Sequence, residues 1–273
     1  MLEDLLSEKH HKRKERRVKL WLLTVGISIV LAAVVILWFV FRSPFWHIRG
    51  VTVRGNRAVA ARDIEDLVKS DILKNHDFWK SLLGMDDILI WPSGRLPASE
   101  TAMLPQLADL SVSKNYFTRT ITLAAVERQA IGTWCLMQST SSGSGETCYW
   151  FDASGTVFQK ALDTQGGAFL AVHDYSQTYL GLGEKILPNA FVANMLTIMD
   201  VVKISGLQAK EIALKDLSLQ EIDVSTQNGP EVYFSLRFPA DEYLPVLQGL
   251  MAKPGFDKLQ YVDFRVANRA YYR

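Results

Sequence analysis

Only two cysteines, Cys135 and Cys148, and five histidines occur among the 273 residues. There is no Cys-x-x-Cys spacing, which excludes a thioredoxin-like redox motif, and two cysteines cannot by themselves supply a tetrahedral metal site. His10 and His11 fall in a basic N-terminal stretch, His47 follows a long apolar run, and His76 and His173 stand alone. Each reads as a surface or satisfied histidine rather than a ligand. Gly-x-Ser-x-Gly, a phosphate loop and His-Glu-x-x-His are also absent, so no nucleophile, nucleotide or metalloprotease pattern emerges. The acid pairs Asp86-Asp87 and Asp241-Glu242 read as a loop and a helix start, where carboxylates favour exposed amides. No catalytic, cofactor-binding or metal-ligating residue is assigned, and no cofactor or small-molecule substrate is expected. Charge of one sign is lacking too: the formal net charge is +1, which argues against a nucleic-acid partner for the whole chain. With 48% hydrophobic residues, the chain is not disordered and can bury the core of one or two domains.

What the chain does have is one long uncharged run. From Leu20 to Phe41 it reads LWLLTVGISIVLAAVVILWFVF, 22 residues, and a helix of that length reaches about 33 Å, enough to span a bilayer's hydrocarbon core. Trp21 near its start and Trp38, Phe39 and Phe41 near its end place rings where membrane interfaces favour them. A cleaved signal peptide would have a shorter apolar region followed by small residues, and Phe41-Arg42-Ser43-Pro44-Phe45-Trp46 offers no such site. Lys9, Lys12, Arg13, Lys14, Arg16, Arg17 and Lys19 precede the run, against Arg42 and Arg49 soon after it. The positive-inside rule then holds residues 1–19 in the cytoplasm and sends everything beyond the 20–41 helix outside, a single-pass type II arrangement in the cytoplasmic membrane. The tail reads as this topology signal, with attraction to anionic headgroups.

Outside the cytoplasm a disulfide can persist. In WCLMQSTSSGSGETCYW, Cys135 and Cys148 occupy mirror positions about a Ser/Gly loop, so a hairpin would set Trp134 opposite Tyr149, Leu136 opposite Thr147, and the sulfurs together. Closing so short a loop stabilises by about 3 kcal/mol in the chain-entropy model. Two reduced, buried thiols are the other reading of the pair.

Beyond the apolar run, hydrophobic periodicity divides the chain into an α+β unit over 46–128 and a mixed, β-rich unit with two helices over 129–273. In the first, a strand over 47–54 ends at Gly55-Asn56, and a helix follows on Ile64, Leu67, Val68, Ile72 and Leu73, continuing through Phe78, Trp79, Leu82 and Leu83. Residues 100–107 read as a second, shorter helix, and 110–116 and 120–127 as two alternating strands. In the second unit, strands are expected at 134–137, 146–151, 156–159, 211–214, 217–224, 232–238, 259–266 and 269–272. Helices are expected from Pro188 to Gly206 and over 241–251.

Four stretches together resemble the FtsQ/DivIB-type bacterial cell-division proteins. Ile48-Arg49-Gly50-Val51-Thr52-Val53-Arg54-Gly55-Asn56 is similar to the family's opening POTRA strand and Gly-Asn turn. Leu104-Pro105-Gln106-Leu107-Ala108-Asp109-Leu110-Ser111-Val112 resembles its Leu-Pro step into the second strand, and TITLAAVERQAIGTW, from Thr120 to Trp134, its POTRA exit with the Glu127-Arg128 pair. Tyr261-Val262-Asp263-Phe264-Arg265-Val266-Ala267-Asn268-Arg269 is like its late Ile-Asp-Leu-Arg strand. Ser113 to Phe117 keeps the basic and aromatic character of the family's Arg-X-Trp-Pro without the proline.

The resemblance implies a basic tail, one membrane helix, a POTRA-like β-α-α-β-β domain and a β domain, working as a non-enzymatic scaffold at the division septum. It implies binding to FtsB/DivIC-like and FtsL-like coiled-coil membrane proteins through the C-terminal β region. Tyr261, Val262, Asp263, Phe264, Arg265, Arg269, Tyr271 and Tyr272 match or adjoin that region and carry the aromatic and arginine side chains typical of binding hot spots. Strand addition at a sheet edge is the expected mode. For Tyr261 to Arg265 the plainer reading is an ordinary buried strand whose Asp and Arg pair with each other. The alternative for the whole chain is a membrane-anchored extracytoplasmic enzyme or ligand-binding domain whose site comes from scattered loops.

Overall fold

The computed structural model describes the backbone of residues 2–41, 43–74, 83–140, 143–161 and 170–273. The expected helical continuation through Phe78, Trp79 and Leu82 lies outside the described residues, as do the side chains of the basic tail before Lys19. The fold is mixed α+β, with one apolar N-terminal helix and a β-rich remainder holding few helices. It divides into two compact units. One comprises Met1–Arg54, Val68–Arg95 and Ser111–Ala124, the other Gly55–Leu67, Leu96–Leu110 and Ala125–Arg273.

Helix α1 (Leu2–Phe41) is 40 residues long. Beyond Lys19 its most apolar 18-residue window has a mean hydropathy of 2.8 and is 0% buried, so the helix is long and apolar enough to cross a membrane. Leu20, Trp21, Ile29, Val35 and Phe39 are all exposed.

A four-stranded sheet follows, formed by β1 (Gly50–Arg54), β2 (Gly94–Arg95), β3 (Leu107–Asn115) and β4 (Thr120–Glu127) in the order β1-β4-β3-β2. β1 lies parallel to β4, with Val51 opposite Ile121 and Val53 opposite Leu123. Helix α2 (Ala61–Lys74) buries Ile64, Leu67, Val68 and Ile72, the stripe its periodicity demands. The second helix is shorter than expected and earlier: α3 spans only Ala98–Thr101. Pro105 explains the correction, since it lacks the amide a helix needs and biases Leu104 away from helical dihedrals. Leu107 already belongs to β3.

The larger sheet has nine strands: β5 (Gly132–Thr140), β6 (Gly143–Phe151), β7 (Val157–Lys160), β8 (Ala171–Asp174), β9 (Ala209–Leu214), β10 (Glu221–Thr226), β11 (Glu231–Ser235), β12 (Tyr261–Asp263) and β13 (Tyr271–Tyr272). Their order is β13-β12-β11-β10-β9-β8-β5-β6-β7. One row of register partners, Trp134, Val172, Ile212, Val224, Val232 and Val262, runs across six strands and is buried throughout. These side chains join one core with Met195, Ile198, Met199 and Val202 of α4 (Asn189–Ser205) and Leu247 and Leu250 of α5 (Leu244–Met251). Helix α4 ends at Gly206, whose φ of 77° suits glycine at a helix C-terminus. The next row on the strands, Cys135, His173, Ala213, Asp223, Tyr233 and Asp263, therefore faces away from the helices.

Three strand expectations need correction. The expected 217–224 strand begins as a 3₁₀ turn, Leu217–Leu219, because the Asp216 carboxylate accepts the Ser218 amide and Gln220 turns to a φ of 57°. The expected 259–266 and 269–272 strands shrink to β12 and β13, because Asp263 accepts the Arg265 amide and Asn268 turns to a φ of 59°. β8 was not foreseen: four residues between two parallel neighbours give too short a pattern to stand out.

Candidate protein-binding edge

A sheet of nine strands has two margins, and unpaired amides and carbonyls there are its natural contact points. The start of the β7 margin is covered. The Val157 amide donates to Glu184 O, the Gly183 amide donates to Val157 O, and Thr156 bridges Lys185. At the other margin β13 is outermost among the described residues. Arg273 donates its amide to Tyr261 O at 3.2 Å and accepts from the Gln260 amide at 2.6 Å. Antiparallel alternation then turns the Tyr272 amide and carbonyl away from β12. The side chains of Tyr271 and Tyr272 are 44% and 54% exposed, and Arg269 donates to the Tyr271 hydroxyl at 3.2 Å.

The residues expected to bind a partner separate by exposure. Val262 and Phe264 are each 0% exposed, so they cannot touch a partner, which corrects their inclusion. Phe264 stacks on Phe234 at 5.4 Å and on Tyr243 at 4.8 Å, and alternation along β12 sends both side chains to the helix-covered face. Asp263 and Arg265 stand on the opposite face and hold each other. Arg265 donates Nε to Asp263 Oδ1 at 2.9 Å and Nη2 to Oδ2 at 2.7 Å, a bidentate pair, and its Nη1 reaches Glu221 Oε2 at 2.8 Å. Its guanidinium also lies 4.8 Å from the centre of the Tyr233 ring, which sits 6.3 Å from the ring of Tyr261. The hydrogen bonds from Arg265 hold the Asp263 carboxyl below the usual range, and those to Asp263 and Glu221 raise the guanidinium pKa further. Arg265 is thus a clamp across β10, β11 and β12. Tyr261, Arg269, Tyr271 and Tyr272 remain available to a partner.

Beside this clamp, Lys215, Asp216, Leu219, Glu221, Asp223, Tyr233 and Arg265 line a shallow depression, where Lys215 pairs with Asp223 at 2.7 Å. Of these residues the sequence pointed only to Arg265; strand register brings the others to it.

The chain matches no protein-family model and no curated protein.

The Glu127-Arg128 pair acts as a local joint. The Glu127 carboxylate accepts the amides of Arg57 at 2.7 Å, Ala58 at 3.0 Å and Val59 at 2.9 Å. Burial pushes its pKa up, and the amides of Ala58, Val59 and Arg57 outweigh that and hold it low. Arg128 donates Nη1 to Asp152 at 2.6 Å and Nε to Pro105 O at 3.0 Å. For Asp152, burial acts upward while Ser154, the Thr156 amide and Arg128 prevail downward. Cys135 and Cys148 are register partners in the β5–β6 hairpin and are joined as a disulfide.

Proposed function

We propose that this protein is a membrane-anchored, non-enzymatic scaffold of the FtsQ/DivIB type, working at the bacterial division septum through protein contacts. The observation that carries this reading is the β13 margin, outermost among the described residues, with exposed Tyr271 and Tyr272, together with one helix apolar enough to cross a membrane among those residues. Strand addition there would join a partner's backbone to the larger sheet, with the tyrosines supplying amphipathic contact area. Coiled-coil membrane proteins of the FtsB/DivIC and FtsL kind are the partners. The order β1, α2, β2, α3, β3, β4, with β1 paired to β4 and the short β2 added at the far edge beside β3, supports a POTRA-like first domain, and the motif resemblance supports the family. The helix α1 anchors the chain with residues 1–19 in the cytoplasm and the sheets outside, as the lysine and arginine bias favours.

Replacing Tyr261 to Arg265 wholesale would be a poor test, since Val262 and Phe264 belong to the core. The edge itself gives the cleaner one. Tyr271→Lys/Tyr272→Pro in the full-length protein should abolish co-purification of coiled-coil division proteins from dividing cells while leaving thermal unfolding unchanged. Undiminished partner recovery excludes this edge, and a fluorescent fusion that never gathers at midcell excludes the division role.

A further inference from the structure

The face of the nine-stranded sheet that the helices leave open holds a second cluster, independent of β13. Cys148, Cys135 and His173 are successive register partners on β6, β5 and β8. Glu146 precedes Cys148 by two residues, so it shares that face. One ligand atom each from Cys135, Cys148 and Glu146 lies within 4.8 Å of the others. His173 Nε2 lies 3.3 Å from Glu146 Oε1, and Cys148 Sγ lies 3.2 Å from the same oxygen.

The geometry points to a redox-gated zinc site: when the disulfide is reduced, Cys135, Cys148, His173 and Glu146 bind Zn²⁺ as four ligands. The donor set of two thiolates, one imidazole and one carboxylate suits zinc, which favours four-coordinate N/S sites. With bonds of about 2.1 Å to N and O and about 2.3 Å to S, the edges of a tetrahedral zinc site are about 3.4 Å for N–O and about 3.6 Å for S–O. The distances of 3.3 Å and 3.2 Å found between these pairs are close to those edges. His173 reaches this group through Glu146, so binding requires the freed sulfurs to part and at least one of them to close on the imidazole, to edges of about 3.8 Å for S–S and about 3.6 Å for N–S. Nine registered pairs hold the hairpin, so its backbone does not depend on the bond between the sulfurs.

A partner for the imidazole is also in place. Metal-bound histidines usually donate the second ring N–H to a carboxylate. His173 Nδ1 is buried without a hydrogen bond and lies 3.8 Å from Glu211 Oε1, which accepts the Tyr175 hydroxyl at 2.7 Å. Zinc on Nε2 fixes the proton on Nδ1 and aims it at Glu211, which gives this otherwise orphaned atom a role. The chemistry balances. An external dithiol reduces the Cys135–Cys148 disulfide with two electrons and two protons and leaves as its own disulfide. Zn²⁺ then displaces the two thiol protons, which go to solvent. In the oxidised state the sulfurs are poor donors, so the same four residues alternate between a covalent staple and a metal staple.

The test uses full-length protein in detergent, reduced with a phosphine and titrated anaerobically with Co²⁺, then with Zn²⁺ in competition. Reduced wild type is expected to develop thiolate-to-cobalt charge-transfer absorption and the intense visible bands of a four-coordinate ion at one equivalent, while oxidised protein develops neither. His173→Ala should lose the four-coordinate pattern, and Glu211→Gln should weaken zinc binding about 10- to 100-fold. Thermal unfolding of each variant in the oxidised state establishes that the fold survives. Absence of thiolate absorption in the reduced wild type overturns the proposal. So does a spectrum unchanged by His173→Ala, which would mark a bare dithiol chelate.

Discussion

Removing the Arg265 guanidinium should destabilise the larger sheet by an amount that depends on pH in a defined direction. The side chain is 34% exposed, and its partners Asp263 and Glu221 are 16% and 23% exposed, so these pairs sit between fully exposed bridges, at about 0–1 kcal/mol, and well-shielded charged hydrogen bonds, at about 1.5–3 kcal/mol. Taking about 1 kcal/mol for each carboxylate and about 0.5–1 kcal/mol for the contact with Tyr233, Arg265→Ala should cost about 2–3 kcal/mol at neutral pH. Arg265→Lys keeps the charge and cannot bridge both carboxylates, so it should recover less than half of the loss. Asp263 has a folded pKa below its unfolded value. Its contribution is therefore fully present above about pH 4–5 and is lost as pH falls through the folded pKa. Urea unfolding of the full chain in detergent reads this directly: at about 2 kcal/mol per molar urea, the midpoint should fall by about 1 M at pH 7. The gap between wild type and variant should shrink by about a third as pH falls through the folded pKa of Asp263. A shift of under about 0.2 M at pH 7, or a gap that stays constant with pH, would refute the clamp.

Glu127→Gln should free residues 57–59, costing about 1–2 kcal/mol at pH 7, with faster tryptic cleavage after Arg57. Because the Glu127 pKa is depressed, wild type and variant should converge as pH falls below about 4. Gly55→Ala should cost more than about 3 kcal/mol in urea unfolding, because Gly55 has a φ of +84° and an added Cβ would lie 2.2 Å from Ala125 O. Trp134→Phe should cost about 1–3 kcal/mol by removing the indole N–H that Asp174, itself fully buried, accepts at 3.0 Å.

Local patterns made much of the chain legible and left the rest dark for physical reasons. The apolar run, the α2 stripe and the hairpin register that sets Trp134 opposite Tyr149 all follow from periodicity within one stretch of chain. Alternation could not reveal that Val262 and Phe264 point into the core while Asp263 points out, because the burial of a face depends on the helices above it. His173 looked solitary for the same reason: its neighbours Cys135, Glu146 and Glu211 come from three other strands. Pro105, legible in the sequence, lacks the amide a longer second helix would need.

The cover laid over β7 by residues 183–185 has a consequence for assembly. Head-to-tail growth of a fibre needs two complementary free margins on every copy, and here the start of one is occupied. A second copy that tried to extend the sheet at this end would first have to displace residues 183–185.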